Sequence, residues 1–245
     1  MTTLAHILIS LLTLTVLEII LGIDNLVFLS ILSQKLPKHQ QKFARRIGLS
    51  LAWIMRLLLL ASAVWLVGLT KPVINLFGYS LSWRDIFLLL GGLFLLVKAT
   101  QEIHMAMEPK SESTKFIRKP ALLPIVISQI VFIDAVFSLD SILTAIGLTN
   151  RFWLMATAVT IAIVVMLFAS ETLSRFINRH PTIKMLALSF LILIGMMLIA
   201  DGLGFHIPRG YIYFAMGFSL FVESLNIRRR KIKKSHLKIG LVLNL

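Results

Sequence analysis

Residues 4–32 have the sequence LAHILISLLTLTVLEIILGIDNLVFLSIL, an apolar stretch interrupted by two acidic residues. A hydrocarbon core about 30 Å thick is crossed by a helix of about 20 mainly apolar residues, so this stretch is long enough to span a membrane. No basic segment precedes it and no small-residue cleavage site follows it, so we expect a retained span rather than a signal peptide. Glu18 and Asp24 lie inside it, where a carboxylate costs on the order of 3 kcal/mol.

The remainder of the chain has the same apolar character. Of its 245 residues, 58% are hydrophobic and 15% are charged, which is too apolar for a soluble domain of this size. We therefore predict an all-α, polytopic membrane protein whose first expected partner is the lipid bilayer. The seven predicted spans are residues 4–32, 47–69, 83–103, 121–147, 152–173, 184–203 and 211–225. The absence of cysteine excludes disulfides and thiolate metal sites.

The basic residues predict an orientation. Nineteen lysines and arginines fall in the first, third and fifth loops and in the tail. The other loops contain four: Lys71, Arg84, Arg151 and Arg209. Because cytoplasmic loops of membrane proteins are enriched in lysine and arginine, we expect the N-terminus outside and the C-terminus in the cytoplasm. This distribution also accounts for the net charge of +14 without a nucleic-acid partner.

A second acidic pair repeats the spacing of the first. The segments E-I-I-L-G-I-D-N from Glu18 and D-A-V-F-S-L-D-S from Asp134 each place two acids six residues apart. The two pair-bearing helices run in opposite directions, which predicts two inverted three-helix repeats plus one extra helix, an arrangement that many secondary transporters share. The predicted units are a first repeat at 1–104, a cytoplasmic linker at 105–120, a second repeat at 121–207, a seventh helix at 208–227 and a basic cytoplasmic tail at 228–245.

Inversion would distribute the four acids across the membrane. Glu18 and Asp134 fall near the middle of their spans, Asp24 lies toward the cytoplasm and Asp140 toward the outside, each step being about 9 Å along a helix. We expect a ladder of carboxylates for a cation. Residues six apart differ by about 120° around a helix, so the ladder requires distortion, which Gly22 would permit as an unwound turn. Interhelical hydrogen bonds between protonated acids are the structural alternative.

The available ligands are oxygen atoms. Asn25 and Ser141 share helix faces with Glu18 and Asp134, respectively, because residues seven apart do so. Oxygen ligands favour magnesium, calcium or manganese, and none of the six histidines lies near mid-span. We expect the ion as cargo and no resident cofactor. Asp201, in D-G-L-G-F-H-I-P, is either a helix-end residue or an outer gate and additional ligand.

Three other charged groups lie within or near the spans. Lys98 is expected to pair with Glu102 four residues on, or else to reach the carboxylates as a counter-charge. Arg56 would either pair with Asp24 or extend toward the cytoplasm. An interfacial ion pair is also expected between Glu171 and Arg175.

The motifs L-E-I-I-L-G-I-D-N-L-V-F and F-I-D-A-V-F-S-L-D-S-I, with the segment from Ala200 to Ser219, resemble those of the TerC family of integral membrane proteins. The resemblance implies a link to tellurite resistance and, from several bacterial members, export of manganese. It places the family's shared positions on Glu18, Asp24, Asn25, Asp134, Asp140, Ser141 and Asp201. An acid-lined path would repel an oxyanion, so we interpret tellurite resistance as indirect. Longer relatives carry soluble domains that we expect this chain to lack.

We therefore expect a cell inner-membrane transporter, not an enzyme, that exports a divalent cation, with manganese as the expected ion. The alternative is a membrane partner that assists secretion or folding of other proteins, with stress resistance as an indirect phenotype. A seven-helix receptor of the retinal type would need a lysine in span seven, which has none. The sequence is also compatible with a homo-oligomer.

Overall fold

A computed structural model describes residues 2–62, 70, 72–76, 79–107, 121–148, 151–205 and 207–243. Within these residues the fold is helical, apart from one short hairpin. The helices are α1 (Thr2–Ser33), α2 (Lys38–Ala61), α3 (Trp83–Met107), α4 (Leu123–Leu148), α5 (Phe152–Arg179), α6 (Pro181–Gly202) and α7 (Arg209–Leu243). The hairpin pairs strands β1 (Pro72–Leu76) and β2 (Tyr79–Ser82) in antiparallel register.

Five of these helices are long and apolar enough to cross a membrane: α1, α3, α4, α5 and α6. The all-α, polytopic membrane fold is thus confirmed. Within the described residues, α2 and α7 carry more charge and are not apolar enough to qualify as membrane spans by length and composition. The structure starts α2 at Lys38, nine residues before the predicted span, and continues α7 to Leu243, through most of the predicted basic tail.

The early start of α2 has a packing reason. The guanidinium group of Arg45 is buried, and its Nη1 lies 3.4 Å from the hydroxyl oxygens of both Ser33 and Ser174. These three residues join the end of α1, the first turns of α2 and the end of α5. A basic residue that hydropathy assigns to a loop therefore belongs to the helical core.

Local hydrogen bonds cap the start of α3 and the end of α6. Ser82 accepts from the backbone N–H of Asp85, and the carboxylate of Asp85 accepts from the backbone N–H of Ser82 at 2.9 Å, which is a capping box. At the end of α6, Gly204 has φ +87° and donates to the carbonyl of Asp201, while Phe205 donates to the carbonyl of Ala200. This pattern is a Schellman motif, and its left-handed position favours glycine.

The main contact across the molecule is between α3 and α6. There, a β-carbon at Gly92 would lie 2.6 Å from the carbonyl oxygen of Gly195, and one at Gly195 would lie 3.0 Å from that of Gly92. Only a residue without a side chain allows two helix backbones to approach this closely, as is common between membrane helices.

The pairs of helices that contact one another have the symmetry expected of the two predicted three-helix repeats. Besides α3 with α6, the main pairs are α1 with α5 and α2 with α4. Exchanging α1, α2 and α3 for α4, α5 and α6 leaves these pairs unchanged. The pattern is what two repeats packed around a two-fold axis would produce, and the division into repeats stays a prediction.

Candidate ion site

Arg56 of α2 is the centre of a buried ionic cluster that joins three helices. Its Nη1 donates to Glu18 Oε2 of α1 at 2.8 Å. Its Nη2 and Nε donate to Asp134 Oδ1 and Oδ2 of α4 at 2.7 and 3.1 Å, a two-pronged contact with one carboxylate. The exposed fractions are 2% for Arg56, 2% for Glu18 and 4% for Asp134. In such surroundings, charge-assisted hydrogen bonds are strong and an unpaired charge is costly.

Neutral side chains complete the hydrogen bonding of this cluster. Asn25 Nδ2 donates to Asp134 Oδ1 at 2.9 Å, and Ser138 Oγ lies 3.1 Å from Asp134 Oδ2. Ser141 lies near the Glu18 carboxylate, and its hydroxyl donates to the carbonyl of Ser138 at 3.3 Å. The sequence places Asn25 on one helix face with Glu18 and Ser141 on one with Asp134, and in the structure each of the two meets the acid of the other helix.

The helical period explains which residues of α1 reach the cluster. Glu18 and Asn25 are seven residues apart and meet Arg56 and Asp134 on one face of the helix. The helix is continuous from Thr2 to Ser33, so the unwound turn that Gly22 would permit is not formed. Instead, Gly22 lies against α5, where an added β-carbon would meet the sulfur of Met166.

Asp24 faces a different partner set, as the 120° offset predicts. Its side chain is 5% exposed. Its Oδ1 has no hydrogen-bond partner within the described residues, and the same holds for Asn25 Oδ1. A small pocket beside it is lined by Leu21, Asp24, Arg56, Phe137, Ser141, Met197, Arg209 and Tyr213. Asp24 is thus a buried carboxylate with an open coordination position next to the Arg56 cluster.

The sequence predicts Asp24 and Arg209 toward opposite sides of the membrane, whereas both line this pocket. The sequence assigned Arg209 to an outer loop and Asp24 to the cytoplasmic side. In the structure, the first residue of α7 lines the pocket that contains Asp24, so the two residues belong to one region of the protein. The ladder of four depths stays a prediction.

The structure describes the side chain of one of the two remaining acidic candidates, Asp201, but not that of the other, Asp140. Asp201 is buried at the end of α6, next to Gly202, which packs against the carbonyl oxygen of Asp85 at the start of α3. It does not line the pocket that holds Asp24. Asp140 lies on α4, but its side chain falls outside the described part of the structure.

Several ionic partners differ from the sequence expectation. Glu102 pairs with Lys35 at the end of α1, whereas Lys98 lies 5.8 Å from the centre of the Phe94 ring, so the expected Lys98–Glu102 pair is wrong. Glu171 pairs with Lys42 of α2 at 3.3 Å. Arg56 neither pairs with Asp24 nor extends toward an interface. Lys35, Lys42 and the two acids that hold Arg56 lie outside the helix of the residue that they meet, so a spacing rule within one helix cannot find them.

The charges of the Arg56 cluster do not balance when both carboxylates are ionised. Two negative groups share one guanidinium, so one negative charge is left, and the buried cluster would gain from a proton or a cation. No group of three acidic or histidine side chains stands ready for a metal among the described residues. A divalent ion held by Glu18 and Asp134 would therefore require Arg56 to move.

The sequence model described as the integral membrane protein TerC family matches residues 3–238. The chain belongs to the TerC family. Among relatives in Escherichia coli, it is 52% identical to the UPF0053 inner membrane protein YgdQ, over 89% of this chain and 92% of that protein. No solved structure matches the chain.

Two other relatives of this TerC protein are longer. The chain is 53% identical to the UPF0053 inner membrane protein YoaE of Escherichia coli over 90% of its own length. It is 52% identical to the UPF0053 protein YegH over 88%. It spans 43% of YoaE and 41% of YegH, less than half of each.

Proposed function

We propose that this TerC protein is an inner-membrane transporter that exports a divalent cation, with manganese as the ion. The observation that carries the proposal is the open coordination at Asp24 and Asn25, whose Oδ1 atoms are buried without a partner in the described residues. Buried polar atoms in proteins are normally paired. Two buried oxygen acceptors on consecutive residues of α1, beside an ionic cluster, are therefore explained most simply by a ligand.

The chemistry of the ligands supports a hard cation. The carboxylate of Asp24 and the hydroxyls of Ser141 and Tyr213 line the pocket, and oxygen ligands of these kinds suit magnesium, calcium and manganese. Among these three ions, the family resemblance favours manganese. With both carboxylates ionised, the Arg56 cluster has a net negative charge that would attract a cation and repel tellurite.

The proposed route uses the acids in order. Asp24 admits the ion from the cytoplasm, Glu18 and Asp134 hold it centrally, and Asp140 passes it outward. Asn25 and Ser141 supply neutral oxygens, and Asp201 serves as an outer gate or additional ligand. Two inverted repeats would allow access to alternate between the two sides, with the N-terminus outside, the C-terminus in the cytoplasm and an ion or proton gradient as the energy source.

The test is manganese flux in vesicles that contain the purified protein. Asp24→Asn and Asp140→Asn are expected to abolish flux while the protein still elutes as a folded species. Asp85→Asn is the matched control, because its carboxylate caps α3 beside Ser82, away from the pocket, and flux is expected to stay within about twofold. Full flux in both the Asp24→Asn and the Asp140→Asn variant would contradict the proposal, and crosslinking to secretion machinery without metal binding would favour the alternative.

A further inference from the structure

Arg56 occupies the oxygens that a central ion would need. Both oxygens of Asp134 and one oxygen of Glu18 accept from its guanidinium, at distances of 2.7–3.1 Å. A metal ion that bridges the two carboxylates would use the same lone pairs. Binding of a divalent cation there and the contacts of Arg56 therefore exclude one another.

A displaced Arg56 has an acceptor within reach. The side chain of Arg56 lines the pocket that also contains Asp24, whose Oδ1 has no partner in the described part of the chain. Arg209 lines the same pocket. A carboxylate offers two oxygens with about four acceptor positions, so Asp24 could accept from both guanidinium groups.

We propose that Arg56 is a built-in counter-cation that alternates between two acceptors. Without cargo it holds Glu18 and Asp134; once the divalent cation has passed from Asp24 to those two carboxylates, Arg56 moves to the vacated Asp24. The inference rests on the proposed function. In the exchanged state two carboxylates balance the divalent ion, and the Asp24 carboxylate is shared between Arg209 and the released guanidinium of Arg56. The arginine would then keep the acids from being uncompensated in the empty transporter.

The first experiment measures manganese binding to the purified full chain in detergent by calorimetry. Arg56→Gln removes the competing charge and is expected to lower the Kd by about tenfold or more. Arg56→Lys keeps the charge but lacks the two-pronged contact, so we expect a Kd about threefold lower than that of the unchanged protein. Arg45→Gln is the matched control, since this second buried arginine contacts the hydroxyls of Ser33 and Ser174, and its Kd is expected to stay within about twofold.

The second experiment separates an acceptor for Arg56 from a direct ligand. Asp24→Asn is expected to raise the manganese Kd about tenfold in the unchanged background, because Arg56 loses its alternative partner. In the Arg56→Gln background it is expected to have no effect, since no arginine needs to be received. An equal rise in both backgrounds would assign Asp24 as a metal ligand and overturn the exchange.

The outcomes distinguish this inference from the function on which it rests. If the unchanged protein neither binds nor transports manganese, the proposed function falls and the inference with it. If the unchanged protein transports manganese but Arg56→Gln binds it no more tightly, the exchange is overturned and the transporter remains. Should Arg56→Gln not elute as a single folded species, Arg56→Lys carries the test, and an unchanged Kd there would also overturn the exchange.

Discussion

Glu18 and Asp24 are two buried acids on one helix, six residues apart, in opposite situations. Glu18 is paired with Arg56 at 2.8 Å and joins α1 to α2 and α4. Asp24 faces a pocket and has an oxygen without a partner in the described residues. The first arrangement stabilises a fold, and the second tolerates an unsatisfied acceptor. The difference shows that two acids with the same spacing rule behind them can have unlike surroundings, because the partner of each is supplied by other helices.

The largest expected effect on stability comes from Asp134, which carries most of the contacts to Arg56. Asp134→Ala removes two hydrogen bonds to the guanidinium and leaves Arg56 with only Glu18, so we expect a loss of about 3–5 kcal/mol of unfolding free energy. The measurement is unfolding by SDS in mixed micelles. Asp85→Ala, which removes a partly exposed helix cap, is the control and should cost about 1 kcal/mol. Equal losses would show that the cluster is not a structural centre.

The next largest expected loss of stability comes from the close contact between α3 and α6, which involves no charged group and so serves as a comparison for the ionic cluster. Gly92→Ala would place a β-carbon 2.6 Å from the carbonyl oxygen of Gly195, so α3 and α6 must separate. We expect a loss of about 1–3 kcal/mol. Gly217→Ala on α7 meets no atom within 4 Å and should be neutral or stabilising by about 0.5–1 kcal/mol, because alanine favours helix. A neutral Gly92→Ala would contradict the close approach of the two helices.

A smaller effect tests the corrected partner of Glu102. A double-mutant cycle between Lys35 and Glu102 should give a coupling of about 0.5–1 kcal/mol, typical of a partly exposed pair. The cycle between Lys98 and Glu102 should give about zero, because Lys98 lies against the Phe94 ring. A larger coupling to Lys98 would restore the pairing that spacing within α3 predicted.

The smallest expected effect on stability returns to Asp24. Asp24→Asn should change the unfolding free energy by less than about 1 kcal/mol, because one carboxylate oxygen has no partner among the described residues. The matched Glu18→Gln variant weakens a buried ion pair and should cost about 2–3 kcal/mol more. Parallel SDS unfolding of both variants makes the comparison. Equal costs would mean that Asp24 is as structural as Glu18.

Much of the site could be predicted from hydropathy and helical period. The period places Glu18 with Asn25 and turns Asp24 away, and both features appear in the structure. The same reasoning could not identify the partner of Arg56, because two acids on other helices reach it across the core. It also gave Lys98 the wrong role, since Lys35, in the turn after α1, is the residue that meets Glu102.

The sequence by itself determined that the chain is a helical membrane protein, because the length and hydrophobicity of a span are local properties that lipid selects directly. It also singled out the acids, since a charge in an apolar run is costly wherever it lies. Only the tertiary structure decided which acids are neutralised. Partner choice depends on distances of a few ångströms between helices that are far apart in sequence, and the packing of α1, α2 and α4 places Arg56 between Glu18 and Asp134 while leaving Asp24 open.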